Sequence, residues 1–304
     1  MRNMALGLAT ATLTLMAGYA FADGMPTRYG PAPCCASSWT GFYVGINAGG
    51  TWDDDASVHS SGAVSFVNPA FTAGAGAVAD GIARMSTRSI DLSSASFLGG
   101  VQAGYNYQMG TIVTGIETDI QWLGNSNDNR SVPAFTALNG FPESYSGTVT
   151  ASRDLDYIGT LRARLGLLVN RDTLVYLTGG MAYGDASLKY SVRAQESLGP
   201  GVYVPLVASN SAASTLVGGT IGAGSEVRMT SNTSIKGEYL FYDLGSLTAR
   251  GPWTQNCVPG VCADPAAGAW GAATVHSKGN FEGQLFRVGL NFKFGDDRGM
   301  EPLK

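Results

Sequence analysis

Histidine is nearly missing from this chain: His59 and His276 are the only imidazoles among 304 residues. Both fall in stretches expected to be loops. His59 stands near Asp53, Asp54 and Asp55, which in principle suits a cation or a surface hydrolase, but no second motif element accompanies it. No Gly-rich phosphate loop or nucleophile elbow occurs in a strand-to-helix context, so the sequence offers no enzyme chemistry and no cofactor. Charge is also scarce, at 14% of residues. Acids outnumber bases, 23 to 19, which is no electrostatic footprint for nucleic acid. No interior run of 18 or more apolar residues exists to cross a bilayer as a helix. Hydrocarbon leaves backbone N–H and C=O groups without partners, so a membrane location would require a closed barrel.

Arg2 is followed by an apolar run from Met4 to about Ala17 and by Ala20-Phe21-Ala22, a small-x-small cleavage signature. Residues 1–22 are read as a secretory signal. Its removal takes Arg2 and leaves 18 basic against 23 acidic side chains, a net charge of about −5. Residues 23–38 carry Pro26, Pro31 and Pro33 without periodicity and are expected to be an extended leader. Glycine, with 42 residues, and the low charge favour a single all-β unit over 39–295, followed by a polar tail, 296–304.

From Thr40 to Gly49, Phe42, Val44, Ile46 and Ala48 share one face while Tyr43, Gly45, Asn47 and Gly49 share the other, the period of a strand. Seven further strands are expected near Phe97–Gln108, Thr111–Trp122, Asp154–Asn170, Thr173–Asp185, Thr215–Met229, Thr233–Gly245 and Phe281–Phe294. Met109-Gly110, Asn170-Arg171-Asp172 and Thr230-Ser231-Asn232 are tight turns, and they alternate strictly with connections of about 30 to 45 residues. That alternation predicts an eight-stranded antiparallel up-and-down transmembrane barrel with short periplasmic turns, long outer loops and both termini periplasmic. Period two alone does not say which face is buried. Aromatics at the strand ends break the tie: Trp39, Phe42, Tyr43 and Trp52 bracket the first strand, Trp122 closes the third, and Phe292 and Phe294 close the last, as interfacial belts require.

The last strand, Arg287 to Phe294, places Val288, Leu290, Phe292 and Phe294 on one face. With Gly289 and the closing pair Phe292 and Phe294, it resembles the terminal β-signal read by the outer-membrane insertion machinery of Gram-negative bacteria. The segments Trp39-Thr40-Gly41-Phe42-Tyr43-Val44-Gly45, Gly159 to Gly166, Val175 to Gly184, Lys236 to Leu240 and Arg287-Val288-Gly289 resemble, in order, the small outer-membrane immunogenic β-barrel proteins of alphaproteobacteria. The resemblance covers Trp39 to about Gly295 and is concentrated in the strands. It implies an eight-stranded, porin-like barrel of the outer membrane with surface-exposed loops. Partners follow: outer-membrane lipids and lipopolysaccharide, the barrel insertion machinery, and host or phage surface ligands through the loops. One departure is that Gly295 to Lys304 follow the aromatic at which relatives typically end.

Residues that could carry chemistry lie on the lumen face. Glu117, Asp119 and Gln121 alternate with Ile116, Ile120 and Trp122, and Arg162 and Arg164 alternate with Leu161, Ala163 and Leu165. Glu226 and Arg228, Lys236 and Glu238, and Arg287 and Lys293 complete a set with both signs in similar number. An eight-stranded lumen is just wide enough for side chains to fill, and buried charges need partners to offset desolvation. A salt-bridged plug is the favoured reading, with a gated ion path along the same residues as the alternative. Cys257 and Cys262 flank Val258-Pro259-Gly260-Val261, whose Pro-Gly turn predicts a loop disulfide. Cys34 and Cys35 are adjacent, so pairing them strains the peptide; free thiols or links between chains are the alternatives.

Overall fold

The computed structural model describes residues 38–53, 57–65, 81, 83–92, 95–124, 128–137, 144–199, 202–255 and 272–294. The signal, the leader, the polar tail and all four cysteines, with the expected Cys257–Cys262 bridge, lie outside the described residues. Among the described residues eleven strands form: β1 (Gly41–Asp53), β2 (Ser57–Ser65), β3 (Arg88–Asp91), β4 (Ala95–Met109), β5 (Ile112–Gly124), β6 (Asp128–Ala137), β7 (Ser144–Asn170), β8 (Thr173–Gly199), β9 (Val202–Arg228), β10 (Thr233–Gln255) and β11 (Ala272–Lys293). Eight of them make a ring in the order β1-β4-β5-β7-β8-β9-β10-β11. The ring closes through an antiparallel ladder from Tyr43↔Lys293 to Asp53↔Gly283. Closure removes the sheet edges, the condition for crossing hydrocarbon with strands.

The tight turns occur where the sequence places them. Gly110 supplies a φ of 64° between β4 and β5, a left-handed position that a residue with a Cβ adopts at a cost. The side-chain carbonyl of Asn170 accepts the amide of Asp172 at 2.9 Å between β7 and β8, and Thr230 Oγ1 accepts the amide of Thr233 at 3.0 Å between β9 and β10.

The long connections differ from expectation. They are largely strand: β7, β8 and β9 each run 27 residues, and β8 and β9 are joined by only two. β1, β4 and β5 stop early, and β2, β3 and β6 take their place further out, β2 on β11 and β6 on β7. His59 and His276 thus sit on β2 and β11, in ladders and not in loops. No ladder joins β3 to β6; Arg88 Nη1 donates to Pro133 O at 3.1 Å and Arg130 Nη1 to Asp91 O at 2.8 Å. The reason for the missed strands is chemical. Outside the bilayer their outward residues mix polar groups such as Ser61, Ser89, Asp91 and Ser131 with single apolar ones such as Phe135, so they lack the continuous apolar face that marks a membrane strand.

β8 shows the change on a single strand. Its outward side chains are Val175, Leu177, Met181 and Tyr183, then Asp185, Ser187, Lys189, Ser191 and Arg193. Its inward side chains are Tyr176 and Thr178, then Ala182, Ala186, Leu188, Tyr190 and Val192, all buried. The greasy face switches from outside to inside near Tyr183. From Val175 to Tyr183 the strand rises about 26 Å, which a 35–45° tilt reduces to roughly 20 Å, close to the apolar band of such barrels. Above that band the interior is a hydrophobic core of Val58, Met85, Ile90, Leu188, Leu244 and Phe281 among others. On β7 and β10 the switch coincides with bulges, between Leu155 and Ile158 and between Asp243 and Ser246. Gly245 takes a φ of 86° in the second, its amide donating to Asp243 Oδ1 at 2.8 Å.

Aromatics sort in the same way. Phe42, Trp52, Trp122, Phe292 and Phe294 point outward and are exposed, as the belt requires. Trp39 and Tyr43 do not. Both are buried inside the barrel, at 4% exposure, because Tyr43 shares the inward face with Asn47 and Thr51 and its hydroxyl finds a carboxylate there.

Candidate functional site in the lumen

Each ring strand presents alternate residues to the lumen, and the registers fix which heights they share. Glu117 on β5 stands opposite Arg162 on β7, and Glu238 on β10 stands opposite Arg287 on β11. Across the lumen these pairs merge. Arg162 Nη2 lies 2.6 Å from Glu117 Oε1 and 2.7 Å from Asp119 Oδ2, while its Nη1 lies 3.0 Å from Glu238 Oε1. Arg287 approaches the same acids from the other side: Nε donates to Glu238 Oε2 at 2.7 Å, and Nη2 to Asp119 Oδ2 at 2.9 Å and to Glu238. Lys236 Nζ donates to both Glu117 oxygens, at 2.7 and 2.9 Å. Arg164 Nη2 lies 2.7 Å from Glu226 Oε2 and Nη1 lies 3.6 Å from Glu117.

Four carboxylates therefore face four cations, with side-chain exposures of 4% or less throughout. Neutral groups add to the coordination, while Arg164 Nε and Arg287 Nη1 have no hydrogen-bond partner among the described residues. Tyr43 donates to Glu117 Oε2 at 2.6 Å and accepts from Arg164 at 3.0 Å. Tyr176 donates to Glu238 at 3.1 Å and lies under the Arg164 guanidinium, 3.9 Å from the ring centre. Asn291 donates to Glu226 at 2.8 Å, and Thr160 donates to Asp119 at 2.8 Å. Removing ions from water costs several kcal/mol each, and only such dense pairing offsets it.

Glycines make room for this. Tyr43 lies directly over Gly104 in the ladder, and Tyr176 over Gly224; a Cβ on Gly104 would fall 2.4 Å from the Tyr43 hydroxyl, and one on Gly224 2.5 Å from that of Tyr176. The same cross-strand pairing of Tyr on Gly recurs as Tyr242 over Gly283 and, on the lipid side, Tyr183 over Gly159.

Of the charged residues expected in the lumen, Glu117, Asp119, Arg162, Arg164, Glu226, Lys236, Glu238 and Arg287 are brought together. Arg228 stands apart, its guanidinium 4.4 Å over the Trp39 ring at the short-turn end. Lys293 donates to Ser38 O at 2.5 Å, at the same end. Gly289 lies on the inward face, where a Cβ would meet Gln102 and Lys236, and the Phe292 and Phe294 rings meet edge to face at 5.4 Å.

The outer end of the polar lumen holds a second cluster that the sequence reading missed. Arg153 Nη1 lies 2.9 Å from Asp53 Oδ2, its guanidinium covers the Phe281 ring at 4.5 Å, and Tyr242 donates to Asp53 at 3.3 Å. Asp53 looked like part of an acidic loop, and Arg153 fell one residue outside the expected strand. The inward alternation of Arg153 with Leu155 was the signal available.

The family described as outer membrane protein beta-barrel domain matches residues 8–294. The 31 kDa outer-membrane immunogenic protein of Brucella melitensis biotype 1 is 32% identical over 270 residues, 88% of this chain and 89% of that protein, and the Brucella suis biovar 1 protein matches equally. The 22 kDa outer membrane protein of Rhizobium leguminosarum bv. viciae is 30% identical over 156 residues, 51% of this chain and 56% of that protein. Among solved structures, OprG from Pseudomonas aeruginosa aligns over 86% of this chain and 99% of its own, with 10% identity and a TM-score of 0.40. The chain belongs to the outer-membrane β-barrel family, with the alphaproteobacterial immunogenic proteins, and it resides in the outer membrane.

Proposed function

We propose that this barrel is a closed, structural and surface-interacting component of the envelope, not a channel and not an enzyme. The observation that carries this reading is the four-against-four charge cluster, buried on every side and roofed by the apolar core of the outer half. Ions crossing would have to break several charge-assisted bonds and then traverse a region with few polar groups. At the short-turn mouth, between Tyr43, Glu226 and Asn291, the free volume is about 20 Å³, room for about one water. A larger concavity, about 730 Å³, has among its lining the lipid-facing residues Val44, Ile46, Val101, Ala103, Ile120 and Phe292. The apolar wall supports contact with membrane lipids and lipopolysaccharide, and the long strands beyond the bilayer supply a surface for external partners.

Planar-bilayer conductance of refolded protein, whose folding is established by its gel-mobility shift on boiling, tests the reading. Silence is expected from the folded barrel. Steady, reproducible openings that change with Arg162→Met would overturn the plug and make the same residues the lining of a pore.

A further inference from the structure

Beyond the membrane the outward face is tiered by charge. On β8 the order moving away from the bilayer is Tyr183, Asp185, Ser187, Lys189, then Arg193; on β11 it is Phe286, Glu282, Asn280, Lys278, then His276; on β10 it is Phe241, Asp243, Thr248, then Arg250. Acids stand just above the apolar band on all three strands, and bases stand further out. The bases are densest where β10, β11 and β2 run side by side. Arg250 is directly opposite His276, which is opposite Ser61; Thr248 is opposite Lys278, which is opposite His59. Four basic side chains thus share six neighbouring positions of two adjoining ladders, with directly opposed Cβ atoms about 5 Å apart. Arg250, Lys278 and His59 are exposed and His276 is half-buried. In these ladders no described acid is directly opposite any of the four. The nearest by register is Asp91, paired with Ser57 and diagonal to His59.

In a chain of net charge −4, two cations and two imidazoles side by side on one exposed face are an electrostatic feature that folding does not require. Its direction narrows the partner. These side chains point radially from the barrel wall, not upward from the strand tips, so they meet what surrounds the barrel in the plane of the membrane. Lys278 lies eight residues beyond Phe286, about 26 Å along the strand and roughly 20 Å above the apolar band after tilt. That level is above the lipid phosphates and within the saccharide layer of an outer-leaflet glycolipid. We infer that Arg250, Lys278, His59 and His276 form a binding site for phosphate- or carboxylate-bearing sugars of the surrounding lipopolysaccharide. Lys and Arg supply the charge, and the imidazoles supply hydrogen-bond donors. The inference rests on the lipid-contacting envelope role proposed above and adds the residues and the ligand chemistry.

The test compares wild-type barrel with Arg250→Gln/Lys278→Gln, both confirmed folded by gel mobility. Each is purified from mixed micelles with fluorescent lipopolysaccharide bearing an anionic core saccharide, or with the same glycolipid cut back to lipid A. Wild type is expected to retain the core-bearing form roughly tenfold better than the variant at low salt. The difference should shrink at 0.3 M salt, where screening is short-ranged, and both proteins should retain lipid A equally. Equal retention of the core-bearing form by both proteins would overturn the site while leaving the envelope role intact. Retention of neither glycolipid by either protein would overturn both. Variant-sensitive binding of soluble heparin without any preference for core-bearing lipopolysaccharide would also overturn the site, assigning the patch to an external polyanion instead.

Discussion

Arg162 touches three of the four acids of the lumen cluster, so its removal is the most informative single change. In Arg162→Met the aliphatic bulk of the side chain is largely kept while Glu117, Asp119 and Glu238 lose a shared partner, leaving four carboxylates against three cations. Arg287 and Lys236 already serve the same acids at 2.7–2.9 Å, so no new positive charge replaces the one removed. Breaking a buried ion pair by deleting one partner costs about 3–5 kcal/mol, a change in the folding equilibrium on the order of a hundredfold or more. Urea titration of protein in short-chain phosphatidylcholine bilayers, followed by tryptophan fluorescence, measures it, since Trp52 and Trp122 face lipid. The double variant Arg162→Met/Asp119→Asn restores equal numbers of each sign and is expected to recover half or more of the loss. A single variant within 1 kcal/mol of wild type would refute the claim that these charges are shielded from water. A double variant no better than the single would show that the loss is one of shape and not of charge.

Two further outcomes follow from the same geometry. Gly104→Val puts a branched side chain where the Tyr43 phenol lies, displacing its bond to Glu117, and is expected to cost about 1–3 kcal/mol by overpacking; Gly237→Val, whose Cβ meets nothing within 4 Å, should cost less in the same urea assay. Leu177→Arg places a charge on the lipid face and is expected to cost about 2–4 kcal/mol, whereas Ser187→Arg, ten residues further along the same outward face, should change stability by no more than about 0.5 kcal/mol. Equal effects at the two positions would place the membrane boundary elsewhere than Tyr183.

The barrel was legible in the sequence because its membrane portion obeys one simple rule, apolar outward and polar inward, with turns too short to hide. The lumen charges could be named for the same reason: Glu117 and Asp119 alternate with Ile116 and Ile120, and Arg162 and Arg164 with Leu161 and Leu165. What alternation does not encode is the third dimension. It did not show that Arg162 would reach Glu238 across the lumen, or that Arg228 would lie over Trp39 instead of joining the cluster. An aromatic at a strand end suits either a belt or a lumen, and only the inward parity of Tyr43 distinguishes them. The outer strands were missed because their rule is reversed, with Ala186, Leu188 and Val192 inward and Ser187, Lys189 and Arg193 outward. Bulges at Asp156–Tyr157 and at Gly245 shift the parity at the point where the rule changes.

Ring closure has a consequence for how the protein reaches its membrane. The ladder from Tyr43↔Lys293 to Asp53↔Gly283 joins the first and last strands of the chain, the pairing of greatest sequence separation in the barrel. Contacts of this kind form slowly, because loop entropy is lost before they reward it. Until that ladder zips, Arg287 on β11 and Tyr43 on β1 lie on unjoined edges, and the lumen ions have a route to lipid. A half-formed sheet in hydrocarbon would expose both its edges and its charges, each at prohibitive cost. The assembly pathway this implies is one in which strands meet while still solvated and enter the bilayer together as the ring shuts. Time-resolved burial of Trp52, on the closing strand, should then keep pace with that of Trp122 on β5 instead of trailing it.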